Sequence, residues 1–351
     1  MMRLMREGER LLAISFHAHK ELSAFHDPMQ EGKLISRETE IRLDPLTGES
    51  SRILFDPGAP FMPSDYSEVG ISTSGSKCPF CSENVWKATP AYPEQLVNDG
   101  KLTNGEAILF PNLFPYAKHN GVVRMTEQHY VPLEQFSEQV IYDSLRTAHT
   151  YLQKVIDADH QADHLSINWN YLPPSGGSIL HPHLHVLASE KPTNYDQKAI
   201  MHSERYYNQF GTSFYADLLD TEKQLQQRWI GRKGSMNWLH AYAPKSHYDF
   251  IGLFEHMPAI AQLQEQDWRD LASSILSFFS LFKKIGVASF NMMIILPKKA
   301  NAAYPAHIRI VPRLTLGALG TSDMNVFTFL HGEYLSLKTP ERTAKEAAAF
   351  F

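Results

Sequence analysis

The run His181-Pro182-His183-Leu184-His185 and the pair Cys78-Pro79-Phe80-Cys81 hold the residue types and spacings in this chain that fit them for chemistry. In an extended strand side chains alternate between faces, so three imidazoles set two residues apart point to one side. Such a row can bind a metal, attack an electrophile or move protons, and its plainer reading is a solvated polar face. Just upstream stands Gly176-Gly177-Ser178. A glycine turn leaves backbone N–H groups free, and with the Ser178 hydroxyl these form the kind of concavity that holds a phosphate. Loop and histidines together weigh against the plain solvated face.

The chain has 17 His but only 2 Cys, which excludes a disulfide framework. Cys78 and Cys81 are then a redox pair, half of a metal site, or two small buried hydrophobes. A thioredoxin-type pair opens a helix directly after a strand, whereas this one follows a long Pro-, Gly- and Ser-rich stretch, residues 57–75, read as a loop. Two thiolates three residues apart are a zinc half-site. With no second Cys pair, two histidines are the natural completion.

The elements that must position these residues follow from periodicity. Leu11 to Phe25 has helical spacing and Asp27-Pro28 reads as its stop. Ile41–Leu43, the turn Asp44–Glu49 and Arg52–Phe55 read as strand, turn, strand. Strands are expected at Ala107–Phe110 and Gly121–Met125, an amphipathic helix within Pro132–Ala158, and strands at Leu165–Trp169 and His183–Leu187. The aromatic-rich stretch Asn194–Gln227 reads as core helix, with no cofactor assigned to it. The order then repeats: strands Trp238–Ala243 and Tyr248–Phe254, helix Asp267–Lys284, strands Ser289–Leu296 and Ala306–Val311. Ser166-Ile167-Asn168 matches Ser289-Phe290-Asn291, and His183-Leu184-His185 matches His307-Ile308-Arg309. A duplicated strand-helix-strand unit with antiparallel character is expected, its sheet running through both copies. Only the first copy carries the Cys pair and the full His run.

The 351 residues suit roughly two domains of about 150 each. A hydrophobic fraction of 43% with 20% charged residues is that of a soluble globular protein, and no apolar run approaches the roughly 20 residues of a membrane span. The opening residues lack a secretory pattern, so a cytoplasmic location is expected. A net charge of −5 with no basic block argues against nucleic acid as a partner.

Taken together, Asp44-Pro45-Leu46-Thr47-Gly48-Glu49, Cys78-Pro79-Phe80-Cys81, Pro111-Asn112-Leu113-Phe114-Pro115, Asn170 with Gly176-Gly177-Ser178, His181-Pro182-His183 and the closing Lys338-Thr339-Pro340-Glu341 resemble the galactose-1-phosphate uridylyltransferase family, the duplicated branch of the histidine-triad superfamily. The resemblance runs from about residue 40 to the C-terminus. It implies an α+β fold of two histidine-triad-like units in which a mostly antiparallel sheet is flanked by helices. The expected division is a helical appendage over 1–39, a first unit over 40–195 with metal and catalytic histidine, and a second, non-catalytic unit over 196–351.

By the same resemblance Cys78, Cys81, His129 and His181 hold a structural zinc, and His183 is the nucleophile that forms a covalent nucleotidyl intermediate. Asn112, Asn170, Gly176, Gly177 and Ser178 bind the substrate, with Ser178 assisting catalysis. The implied substrate is a nucleotide sugar or other nucleoside diphosphate compound, and the implied assembly is a homodimer in which Asn325–Glu333 completes the partner's site. His185 stands where the family has Gln, and His there is the histidine-triad hydrolase pattern. A hydrolase or phosphorylase acting on nucleotide sugars or dinucleotides is therefore one alternative, and a non-catalytic nucleotide-binding protein another. Some members hold a second metal through histidines of the second unit. Here His307 faces Arg309 in that arrangement, so no second site is expected.

Overall fold

The computed structural model describes residues 14–56, 58, 61, 65–317 and 320–351. Its strands are β1 (His17–Asp27), β2 (Lys33–Leu43), β3 (Ser50–Ile53), β4 (Leu102–Asn104), β5 (Ala107–Pro111), β6 (His119–Arg124), β7 (His164–Tyr171) and β8 (His183–Ser189) in the first half. The second half has β9 (Trp229–Lys233), β10 (Met236–His240), β11 (Phe250–Phe254), β12 (Ser289–Pro297), β13 (His307–Arg313), the short β14 (Thr315–Leu316) and β15 (Thr321–Ser322), and β16 (Tyr334–Ser336). Helices are α1 (Ser67–Thr73), α2 (Glu138–Ala158), α3 (Asn194–Phe210), α4 (Phe214–Leu225), α5 (Glu265–Ile285) and α6 (Pro340–Ala348).

One sheet runs β4-β5-β6-β8-β7-β12-β13-β11-β10-β9. Every neighbouring pair in it is antiparallel. The strand order reads the same from either edge to the centre, where β7 meets β12 with Asn170 opposite Asn291. This is the mixed α+β, mostly antiparallel architecture that the sequence led us to expect.

Helices α2 and α5 cover one face of the sheet. The α2 residues Ile141, Leu145, Ala148, Leu152 and Val155 recur at three- and four-residue intervals and are buried, as a helix lying on a sheet requires. The helix begins at Glu138 because Ser137 caps it, its hydroxyl accepting from Val140 N. In β8, Leu184, Val186 and Ala188 join this core, which turns His183 and His185 to the opposite face. There the cover differs between halves. A small cluster built around Cys78, Phe80, Cys81 and Phe110 lies over the first half, and α3 and α4 lie over the second.

The N-terminal helix is a correction. Residues 1–13 lie outside the described region, and His17–Asp27 is a strand paired with Lys33–Leu43 in an unbroken antiparallel register. Asp27-Pro28 is the turn of this hairpin, with the Asp27 carboxylate accepting from Met29 N at 2.8 Å and Glu31 and Gly32 at positive φ. Pairing along the whole strand outweighed a short stretch of helical spacing. The boundary placed at residue 39 consequently falls inside β2. Within the expected loop 57–75, residues 67–73 form α1, while residues 57, 59–60 and 62–64 lie outside the described region. The core-helix reading of Asn194–Gln227 holds for α4, whereas α3 is mostly exposed and buries Asp196, Ala199 and Ser203. Among the described residues no helix is long and apolar enough to cross a membrane.

The core also holds histidines far from the Cys pair. Burial pushes His149, His240 and His307 each down to about 4, so each is neutral when folded at pH 7. The unfolded chain, with ordinary values near 6.5, takes up these protons first as pH falls. Stability is therefore full above about pH 6.5 and declines toward pH 4, each group contributing on the order of 3 kcal/mol. Melting temperatures measured between pH 7.5 and 4.5 should fall steadily below about 6.5; a flat profile would contradict this account.

Candidate active site and metal centre

Cys78, Cys81, His129 and His181 come together from three separate segments, and their ligand atoms all lie within 4.8 Å of one another. The distances from sulfur to Nδ1 are 3.7 Å for Cys78 to His181, 3.8 Å for Cys81 to His181 and 3.5 Å for Cys81 to His129. Bonds of about 2.3 Å to sulfur and about 2.0–2.1 Å to nitrogen place two ligands of a tetrahedral ion ~3.6 Å apart. The cluster has the spacing of a ligand set.

Both imidazoles are held in the tautomer a metal needs. His181 Nε2 lies 2.7 Å from Thr126 O, and a carbonyl only accepts, so Nε2 carries the hydrogen and Nδ1 presents its lone pair to the sulfurs. Thr73 Oγ1 donates to Val69 O at 2.6 Å and so accepts from His129 Nε2 at 2.9 Å, which frees Nδ1 of that ring as well. Thr73 reaches His129 because α1 packs tightly there: a Cβ on Gly70 would lie 3.1 Å from Tyr130 Cβ, so this contact takes only glycine without adjustment. Burial holds His181 neutral, at about 3, and raises the Cys78 thiol to about 11, so an incoming ion displaces that proton. His119, the other candidate by sequence, is paired with Asp159 at 2.8 Å instead.

His183 follows directly on this cluster. Its Nδ1 lies 2.7 Å from His181 O and must donate to it, so Nε2 is the lone-pair nitrogen. Burial lowers the pKa of His183 below the ordinary histidine value. Phe80, between the two cysteines, sets its ring edge-on to His183 with centroids 5.3 Å apart. The Cys/His cluster thus adjoins His183 through the His181 backbone and through Phe80.

His183 and His185 open on a cavity of about 290 Å³. Its lining joins Gly176, Gly177, Ser178 and Asn170 with the aromatic residues Phe80, Phe110, Phe114 and Tyr116. The expectation of a glycine turn with free N–H groups is corrected: Gly176 N donates to Pro173 O at 2.9 Å and Gly177 N to Leu172 O at 3.3 Å, which leaves the Ser178 N–H. No lysine or arginine lines the cavity among the described residues. Gly176 sits at φ +88°, a conformation open to glycine, and ends the turn formed by residues 173–175. Ser178 is exposed, and Asn112 lines the cavity but spends its amide on the turn: its Oδ1 accepts from Phe114 N and its Nδ2 donates to Asn120 Oδ1. Asn170 Oδ1 accepts from Asn291 Nδ2 at 2.7 Å. The ring of His185 lies 5.1 Å from that of His183 and 5.6 Å from Tyr116. Burial, with a smaller contribution from His183, lowers it to about 4, and its Nδ1 has no protein partner.

The second half repeats part of this geometry. His307 Nδ1 donates to Pro305 O at 3.0 Å, as His183 does to His181 O. However, Arg309 is tied to the buried Asp249, and Tyr215 of α4 stacks on His307 at 4.8 Å. Side chains narrow the equivalent face to a pocket of about 40 Å³.

A protein of Archaeoglobus fulgidus described as uncharacterized is 32% identical over 316 residues, 90% of this chain and 93% of that one. Among solved structures, a GalT-like protein of Arabidopsis thaliana superposes with a TM-score of 0.66 at 16% identity, covering 88% of this chain and 98% of that one. A chain described as a uridylyltransferase gives 0.64 at 18%, with the same coverage. The chain has the galactose-1-phosphate uridylyltransferase fold. It belongs to one family with the archaeal protein. An ADP-glucose phosphorylase of A. thaliana shares the fold, with a TM-score of 0.67 at 17% identity over 88% of this chain and 98% of that one. No protein-family model matches the sequence.

Within this uridylyltransferase fold, sequence reasoning missed Thr73 and Thr126, which orient the ligand imidazoles, and Asn291, which touches the cavity loop. Thr73 gave no signal because its helix reads as loop. Asn291 was noted only as a repeat match.

Proposed function

We propose that this chain is a nucleotidyltransferase that takes the nucleotidyl group of a nucleotide sugar, or of a similar nucleoside diphosphate compound, onto His183. The observation that carries this is the 2.7 Å donation from His183 Nδ1 to His181 O, which leaves a neutral, lone-pair-bearing Nε2 facing the cavity. Nε2 attacks the α-phosphorus, an N–P bond forms, the bond to the bridging oxygen breaks, and the electron pair leaves with the β-phosphate. The Nδ1 proton stays on the ring, where the His181 carbonyl stabilises the imidazolium character. An acceptor oxygen then displaces the imidazole in the second half-reaction.

The Ser178 backbone N–H and hydroxyl and the Asn170 amide bind the phosphoryl oxygens, and the aromatic residues of the cavity take the base. Cys78, Cys81, His129 and His181 hold zinc, whose donor preference this set matches. When bound, it crosslinks the segments that carry His183 and Phe80. The two halves are copies of one unit, the first alone equipped to react. A homodimer is part of this reading, supported by the exposed Val326, Phe327, Phe329 and Leu330 on the C-terminal segment.

His185 favours a second reading, a phosphorylase or hydrolase. The A. thaliana neighbour is described as an ADP-glucose phosphorylase with bound ADP-glucose. Bound phosphate charge raises the pKa of a neighbouring imidazole, so His185 can gain a proton with substrate in place and assist a leaving group or a small acceptor. His185→Gln should lower the ratio of hydrolysis to transfer by about 10-fold or more. The check is product analysis with UDP-glucose or ADP-glucose, each with orthophosphate, with a hexose 1-phosphate, or with water alone. An unchanged ratio would remove His185 from that role.

A further inference from the structure

Asn170 binds phosphate only if its amide nitrogen, and not its oxygen, faces the cavity, and this orientation is decided in the other half of the chain. Asn291 lies opposite Asn170 where β12 meets β7. Its Nδ2 donates both to Asn170 Oδ1 at 2.7 Å and to Ser175 O at 2.9 Å, on the turn that leads into Gly176. Its Oδ1 accepts from Arg313 Nη1 at 3.0 Å, and Arg313 is held by Asp323 through Nε at 3.0 Å. Asp323 is itself fixed by Leu314 N at 3.0 Å.

Every donor direction in this chain of groups is determined. A guanidinium has only donors, so Asn291 must turn its oxygen to Arg313 and its nitrogen to Asn170. Asn170 must then offer its oxygen to Asn291, which leaves its Nδ2 hydrogens without a protein partner at the cavity wall. We infer that Asp323, Arg313 and Asn291 are positioning residues that set the amide of Asn170 for a nucleotide phosphate. Their role explains an Asn at 291 in a half whose own histidine, His307, is stacked on by Tyr215. Met293 stands opposite Asn168 at the matching position across the junction, so the relay serves the first half alone.

This inference rests on the nucleotide reading above, and the experiment separates the two. Asn291→Asp keeps size and shape and still pairs with Arg313, but a carboxylate cannot donate, so Asn170 must reverse its amide. Binding of UMP and AMP should weaken about 10- to 100-fold, with uridine and adenosine binding unchanged. In an Asn170→Ala background, Asn291→Asp should add little, because it acts through Asn170. Side-chain amide NMR of Asn-labelled protein reports the reversal without any nucleotide: the Asn170 Nδ2 protons, solvent-facing in the unmodified chain, should become protected from exchange in Asn291→Asp. Unchanged UMP and AMP affinity, an undiminished effect in the Asn170→Ala background, or unaltered amide exchange would each overturn the relay. Failure of the unmodified chain to bind either nucleotide, with the amide reversal observed, would overturn the nucleotide reading and leave the relay standing.

Discussion

His183→Asn lowers nucleotidyl transfer by ~10⁵-fold or more while metal content stays at the level of the unmodified chain. Asparagine places an amide nitrogen where Nδ1 stood and can still donate to His181 O, so the strand end keeps its tie. What disappears is Nε2, the atom proposed to attack. His183 contributes no ligand to the Cys/His cluster, so zinc analysis and the melting temperature serve as controls. Loss of metal together with activity would mean that His183 is structural. Retained activity would mean that another group forms the bond to phosphorus.

The second large effect belongs to the metal centre. Cys78→Ser, or removal of the metal by a chelator, should destabilise the first half by about 5 kcal/mol or more and abolish transfer with it. A structural zinc site contributes roughly 10–16 kcal/mol of apparent binding energy. Cys78 and Cys81 are buried, and the hydrophobic cluster around them is small, so little else holds this corner. Activity follows because His181 is at once a ligand and the carbonyl that fixes His183. In the metal-free chain burial holds the Cys78 thiol at about 11, so metal uptake releases protons and weakens as pH falls. Metal analysis and melting curves before and after adding zinc back check this; full activity without metal would contradict it.

Much of this site is legible in the sequence because its parts are local. Cys78-x-x-Cys81 and the His181–His185 run carry their spacing in the chain itself, and the alternation along β8 decides which side chains share a face. The strands and helices around them also read directly, since α2 and α5 bury one regular stripe. His129 is different. No spacing distinguishes it from His119, and only the fold brings it to Cys81 while His119 meets Asp159.

What stayed illegible depends on which partner a residue meets, near or far in the chain. The hairpin β1–β2 owes its form to eleven residues of register against a partner strand, which local helical spacing cannot report. Asn112 is legible as a motif residue, but the structure shows its amide closing the turn to Asn120 and Phe114. Asn291 becomes meaningful only once β12 lies beside β7. Asn291 and Asn170 are 121 residues apart in the chain, a contact that no local pattern reports.

The central claim is a bond between His183 Nε2 and the α-phosphorus of a nucleotide, and intact-mass and peptide analysis after incubation with UDP-glucose or ADP-glucose tests it most directly. The account predicts one nucleotidyl adduct per chain on the peptide containing His183, labile in acid, stable in base and absent from His183→Asn. A fully metallated protein that turns over substrate with no adduct, or with an adduct on another residue, would contradict it.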